Sequence, residues 1–393
     1  MNMPSKNVRT NRFIIAVISI LLMSLFSSEA EEKDKLKILG DARIRTESDW
    51  DSKKSDGSFR DDRDRMRYRL RFGFNYKWNN SIKFGGRIRS GDQRDQQSPH
   101  NTFGSEMETG SFSIDKVFIQ GQHELLWWNL GKNSFSFWKQ NELFWDDDVT
   151  PEGVSLGTKI KTGEFSIKPT FGAYIINHNQ KYFGNDSKLI AAQIALDGKV
   201  SDVNLEFATG IYIFDKLPDK NDGAGENRLD YNIFNSGIKL GMDVGVPLTF
   251  GFDFMINLVD YGKDKYKNIV KDYLKDEKTG FVASVKLGSL KKQGDWTLAY
   301  YFTQIQKYSV VDYFAQDDWI RWNYSDADGN GLTGARSSNF GGSEIRLGYA
   351  FGSGFNCVLR TYLVEALVKK GGSSDKALET GNRIRLDFNI KIN

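Results

Sequence analysis

From Arg65 to Trp78 the chain alternates between two kinds of residue with a period of two. Met66, Tyr68, Leu70, Phe72, Phe74, Tyr76 and Trp78 fall on one side, and Arg65, Arg67, Arg69, Arg71, Asn75 and Lys77 on the other. A helix would mix these sets around its circumference, whereas a strand separates them completely. The same alternation recurs along the chain. It predicts sixteen strands, at about 35–47, 64–78, 81–90, 112–120, 125–131, 155–162, 165–176, 188–197, 203–214, 231–242, 247–258, 279–289, 295–305, 342–351, 355–365 and 382–393. Many are near the nine to eleven residues that a tilted strand needs to cross a bilayer.

The connections fall into two kinds in strict order. Short ones, such as Asn79-Asn80, Gly163-Glu164 and Gly352-Ser353-Gly354, alternate with long polar ones at about 48–63, 91–111, 132–154, 177–187, 215–230, 259–278, 306–341 and 366–381. A soluble sandwich has no reason to alternate in this way. A sixteen-stranded antiparallel transmembrane β-barrel does, with short periplasmic turns and long external loops. An even strand count closes the sheet and leaves no edge whose backbone groups would lack partners in lipid. Tyr76, Trp78, Trp127, Trp128 and Trp296 cluster beside short turns, where an interfacial girdle of aromatics belongs. At the chain end, Ile384, Leu386, Phe388, Ile390 and Ile392 alternate with Arg383, Arg385, Asp387, Asn389 and Lys391. In the fourth strand neither register is clean, because one sends Lys116 and the other Asp115 toward lipid; a bulge or an early strand start is predicted there. Cys357 is expected on the lipid side with Leu359 and Leu363.

Residues 1–30 stand apart. Lys6, Arg9 and Arg12 precede an apolar run from Phe13 to Phe26, and Ser28 and Ala30 offer small residues before a cleavage site at Glu31. The expected organisation is a signal peptide over 1–30 and one barrel over 31–393, exported to a bacterial outer membrane. The first strand follows the cleavage site too closely for an N-terminal plug. Composition narrows the function. Lys+Arg 54 against Asp+Glu 51 gives a charge of +3, without the basic excess of a nucleic-acid binder. Cys357 is the single cysteine and the three histidines are scattered, which excludes a disulfide framework or a cysteine- or histidine-rich metal site. No nucleophile elbow, phosphate-binding loop or zinc-protease motif occurs, so no enzyme is expected.

Three segments carry candidate chemistry. Arg63, Arg65, Arg67, Arg69 and Arg71, joined across a short turn by Lys83, Arg87 and Arg89, would form a cationic lumen wall. They would repel one another in a dry interior, so water or countercharges are expected around them. Asp146, Asp147 and Asp148, with Glu152 beyond, sit in the third long connection beside Trp138, Leu143, Phe144 and Trp145. That apolar content is odd for an exposed tip. The expectation is a loop folded into the barrel, its aromatics on the wall and its carboxylates opposite the arginines. Asp326, Asp328 and Asn330 occupy positions 1, 3 and 5 of a calcium-type loop. Ser337 stands where the bidentate Glu belongs, so any calcium affinity should be weak. No other cofactor is expected.

At the acidic segment the chain also resembles the family of bacterial "putative porins". The resemblance rests on Gly131-Lys132, Phe137-Trp138, Glu142 to Asp148 and Pro151-Glu152-Gly153, on Arg67 to Gly73 and Ile88 to Asp92, and on Gly341 to Glu344 with Tyr349 to Phe351. It implies a diffusion barrel and supplies no catalytic residue. The combined expectation is a passive, water-filled channel for small polar solutes and ions, embedded in outer-membrane lipid. Trimer against monomer stays open, with a homotrimer suggested by analogy with general porins of this size. Two alternatives stay open: a substrate-specific channel or exporter of anionic polysaccharide, and a structural or adhesive barrel that binds through its loops.

Overall fold

A computed structural model describes residues 35–392 except Arg94 and the segments 105–109, 179–185, 219–227 and 322–336. The signal-peptide stretch and the calcium-type residues Asp326, Asp328 and Asn330 lie outside the described residues. Sixteen spanning strands run in chain order: β1 Leu36–Trp50, β2 Arg63–Lys77, β3 Ile82–Ser90, β4 Phe112–His123, β5 Leu126–Lys132, β6 Glu152–Thr158 continued by Ile160–Thr162, β7 Phe165–Asn177, β8 Ser187–Val200, β9 Val203–Pro218, β10 Arg228–Asp243, β11 Pro247–Asn257, β12 Thr279–Gly288, β13 Trp296–Ile305, β14 Phe340–Gly352, β15 Phe355–Ala366 and β16 Thr380–Ile392. The two parts of β6 both pair with β7 and form one strand interrupted at Lys159. A two-residue patch, Asn101–Thr102, pairs with β2 beyond the end of β3.

Each strand pairs antiparallel with the next, and β1 pairs with β16 from Gly40↔Ile392 to Trp50↔Asn382. The sheet is therefore a closed sixteen-stranded barrel with no free edge. Short connections gather at one end and long ones at the other. No helix among the described residues is long and apolar enough to cross a membrane, so the crossing elements are the strands.

The alternation maps onto two faces. Met66, Leu70 and Phe72 of β2 are exposed outward while Arg69 is buried, and the same split recurs in Ile44 against Arg45 of β1 and Ile384 against Arg385 of β16. An exposed apolar band running around the whole wall suits contact with lipid rather than water. Trp78 and Trp296 lie exposed at the short-turn end, with Phe351 and Phe355 packed 4.9 Å apart nearby.

The fourth strand carries the expected bulge. Arg87 pairs with Lys116 but Ile88 pairs with Ile114, leaving Asp115 as the extra residue. Phe112 and Ile114 before it and Val117 and Ile119 after it all remain exposed, while Asp115 is buried. The bulge thus resolves the conflict by turning both charged residues off the lipid face.

The apolar core lies inside the barrel rather than between layers. Phe137, Leu143, Phe144, Trp145 and Val149 of the third long connection pack with Tyr308, Val310, Val311, Phe314, Trp319 and Ile320 of the seventh. Tyr212, Ile233, Met255 and Tyr362 of the wall and Tyr261, Tyr266, Val270 and Leu274 of the sixth connection belong to the same cluster.

Candidate pore constriction

The arginine row occupies the inner face of β2, and β1 supplies its countercharges. Arg65 pairs with Glu47. Arg63 meets Asp49 at 2.7 Å, and Arg383 of β16 meets the same carboxylate at 2.6 Å. Asp41 accepts from Arg69 at 2.8 Å and from Arg71 at 2.7 Å. Arg67 has a neutral partner instead, donating to Ser98 Oγ at 3.0 Å. On β3, Arg89 donates to the Asp95 and Gln96 carbonyls, and Arg87 donates to Asp115 across the bulge at 2.5 Å. The wall continues through β16 and β15: Arg45 donates to Asp387 at 2.6 Å, Arg385 pairs with Asp387 and Asp318, and Arg360 and Arg346 share the fully buried Glu344. Buried cations in these numbers persist because each has an anion or carbonyl within reach.

The third long connection leaves β5 at Gly131, where φ of +112° and the closeness of the Val117 carbonyl leave no room for a side chain. It crosses to the far wall, where the Trp138 backbone N–H donates to Gln193 Oε1 at 2.8 Å and Trp138 Nε1 to Glu206 Oε2 at 2.8 Å. Gln140 donates to the Ile238 carbonyl and Asn141 to Asp253. It then returns to the arginine wall. Trp145 stacks 4.1 Å from Phe135 and 4.9 Å from Phe314. Thr150 Oγ1 closes the loop on the Asp115 carbonyl at 2.9 Å.

The acidic residues do not act as one unit. Asp148 reaches the arginines, at 2.6 Å from Arg71 and 3.7 Å from Arg69. Asp147 is largely exposed and pairs with Lys139 at 2.5 Å. Asp146 is turned away and buried; its backbone N–H donates to the Phe314 carbonyl at 2.7 Å, and its side chain accepts from the Asp148 N–H. Burial, then the charge of Glu142 beside it, pushes the Asp146 carboxyl well above the usual carboxylate range. Glu152 corrects the acidic set more sharply. It shares the outward parity of Val154 and Leu156 on β6 and pairs with Lys132 of β5 at 2.7 Å, so it lies outside the lumen.

The second infolded segment was not anticipated. Residues 306–321 enter the lumen, and Asp318 settles between Arg45, at 3.5 Å, and Arg385. Burial opposes its charge, yet Arg385 and Arg45 hold its carboxyl well below the usual range. Its neighbour Asp317 is pushed up to about 7, by burial and then by the charge of Asp318. Gln316 ties this segment to the third connection by donating to Glu142 Oε2 at 2.6 Å. The signal was available in the sequence: Tyr308, Val310, Val311, Tyr313, Phe314, Trp319 and Ile320 are as apolar for a loop as the residues around Trp145. Asp41, Arg43, Arg45, Glu47 and Asp49 were likewise legible as a period-two charged row.

Among the described residues no group of His, Cys, Asp or Glu is arranged to hold a metal ion. Residues 48–229 match the model of the family described as "Putative porin". No curated protein matches in sequence. In fold the chain is similar to OprB of Pseudomonas putida, with a TM-score of 0.55 and 12% identity over 91% of this chain and 94% of that one. It is also similar to Salmonella typhi OmpF, solved in complex with daunomycin, with a TM-score of 0.51 and 10% identity over 92% and 99% of the two chains. With strand count, closure and outward apolar band in agreement, the chain is a porin-like β-barrel of the bacterial outer-membrane type.

Proposed function

We propose that the chain is a passive channel of the outer membrane, carrying small polar solutes and ions down their gradients. One observation carries this reading: the third long connection crosses the lumen, narrows it, and returns to the arginine wall, where Asp148 meets Arg69 and Arg71. Paired charges of both signs on the wall of a narrowed passage with low-dielectric surroundings set up a local field that orients polar solutes and sorts ions. The infolding of residues 306–321 favours a selective channel for small solutes over an exporter of polysaccharide, because two segments then share the lumen. The outward band seats the barrel in lipid, and a signal peptide over 1–30 with cleavage near Glu31 would deliver it there. A homotrimer is the assembly proposed, by analogy with porins of this size. No catalytic step is assigned. Purified protein reconstituted in planar bilayers should give discrete conductance steps, and liposomes containing it should swell in small sugars but not in large ones. A folded barrel that neither conducts nor admits sugars would refute the channel and favour an adhesive role.

A further inference from the structure

We propose that the cavity beneath the third connection is a binding site for a small oxyanion: the phosphate, sulfate or carboxylate group of a solute. The inference rests on the channel reading for its route of access and names the class of solute that channel prefers. The cavity has a volume of ≈ 580 Å³, within the range of about 300–1,000 Å³ usual for small-molecule sites. It is walled by β1 to β4 and β16 and roofed by residues 133–136.

Its charge is unbalanced. Lys37, Arg71, Arg87, Lys116 and Lys391 line it, and Asp41 is the one carboxylate among the lining residues. Arg71 is held by Asp41 and Asp148, and Arg87 by Asp115. Arg69 draws on the same Asp41 and Asp148. Lys116 donates to the neutral Ser134 hydroxyl. Lys37 and Lys391 have no ion pair among the described residues, although Lys391 sits across the β1–β16 ladder from Asp41. Three carboxylates therefore face six cations. Nearer the long-loop end carboxylates are likewise shared: Asp49 serves Arg63, Arg321 and Arg383, Asp318 and Asp387 serve Arg45 and Arg385, and Glu344 serves Arg346 and Arg360. What sets the cavity apart is that three of its cations, Lys37, Lys116 and Lys391, have no ion pair among the described residues, whereas nearly every arginine of the wall beyond it has a carboxylate.

The remaining lining suits oxygen ligands. Asn133, Ser134 and Ser136 above, with Asn75 and Gln120 on the walls, offer neutral donors. Phe118 and Phe135 lower the local dielectric, which strengthens charge-assisted hydrogen bonds from the lysines.

The test uses the refolded full barrel and inorganic phosphate, with sulfate and a dicarboxylate as further arms. Calorimetry should show saturable binding at one site per chain, and phosphate should block chloride current in planar bilayers over the same concentration range. Lys37→Gln/Lys391→Gln should weaken both by about tenfold or more, the combined effect of two charges near contact. Lys116→Met is a second variant that should weaken them in the same direction, and altered migration of unheated protein on gels shows that each variant is folded. Lys54→Gln/Lys263→Gln removes equal charge from exposed long-loop positions and should change neither readout. Absence of saturable binding in a conducting barrel would overturn the site and leave the channel standing. Binding that survives all the cavity substitutions would also overturn it. Saturable binding lost on Lys37→Gln/Lys391→Gln in a barrel that does not conduct would uphold the site and refute the channel.

Discussion

Replacing Asp148 by Asn tests the constriction where the third connection meets the arginine row. The substitution keeps the shape of the side chain and removes one negative charge, 2.6 Å from Arg71 and 3.7 Å from Arg69. Both arginines retain Asp41, at 2.7 and 2.8 Å, so neither becomes an orphaned cation. The stability cost should stay near the about 1–3 kcal/mol of a lost buried charged hydrogen bond. The effect on permeation should be larger in relative terms. A unit charge about 4 Å from a passing ion contributes about 1 kcal/mol in water and about 4 kcal/mol at an effective dielectric of 20. Even the lower figure changes each ion's permeability about fivefold, in opposite directions for anions and cations, and hence their ratio by about thirtyfold. Reversal potentials in a tenfold salt gradient read this directly, and the shift should favour anions. Asp146→Asn is the informative control, because that carboxyl is buried, turned away from Arg69 and Arg71, and shifted by burial toward its neutral form. Asp147→Asn lies between them, since its charge is exposed, screened and partnered by Lys139. An unchanged reversal potential in Asp148→Asn, or an equal shift in Asp146→Asn, would refute the assignment of the field to Asp148.

Three further outcomes follow from the same structure. Asp317 has its folded value raised to about 7, so the stabilisation it gives the infolded 306–321 segment is complete at low pH and lost as pH rises through about 7; conductance should change across pH 6–8 in wild type but not in Asp317→Asn. Trp145→Ala removes a buried ring stacked between Phe135 and Phe314, which should weaken the loop packing by about 3–5 kcal/mol and raise single-channel conductance or its noise. Cys357 lies on the same face of β15 as the exposed Phe355 and Leu363, so Cys357→Arg should lower stability to urea by about 2–4 kcal/mol if the position is near the midplane.

The strands were legible because a barrel wall meets a different solvent on each side, which writes a strict period of two into the sequence. All sixteen expected segments coincide with strands, with differences at the ends such as β9 reaching Pro218 and β10 beginning at Arg228. The bulge at Asp115 could be anticipated because either regular register placed a charge in lipid. The infolding of the third connection was readable from Trp138, Phe144 and Trp145. What resisted reading was the partition of Asp146, Asp147 and Asp148, because adjacent residues in an irregular segment have no fixed parity. Glu152 was misplaced because it begins a strand, and its side is set by pairing with Lys132 rather than by its acidic neighbours. The seam of β1 with β16 was legible as closure, because an even strand count requires it, but its register from Gly40↔Ile392 to Trp50↔Asn382 was not.

That seam has a consequence for biogenesis. Arg45 with Asp387 and Asp49 with Arg383 are contacts between residues 342 and 334 positions apart. Loop-closure entropy opposes such pairs until the intervening hairpins have shortened the effective separation. The ion pairs of the seam therefore form last, and only in a chain whose final strand has arrived. A nascent chain cut short before Thr380 would leave Asp49 and Arg45 without their β16 partners and two strand edges unsatisfied in lipid. Truncated translation products should accordingly fail to insert stably and be cleared by periplasmic proteases, so that the last strand acts as a completeness check on synthesis.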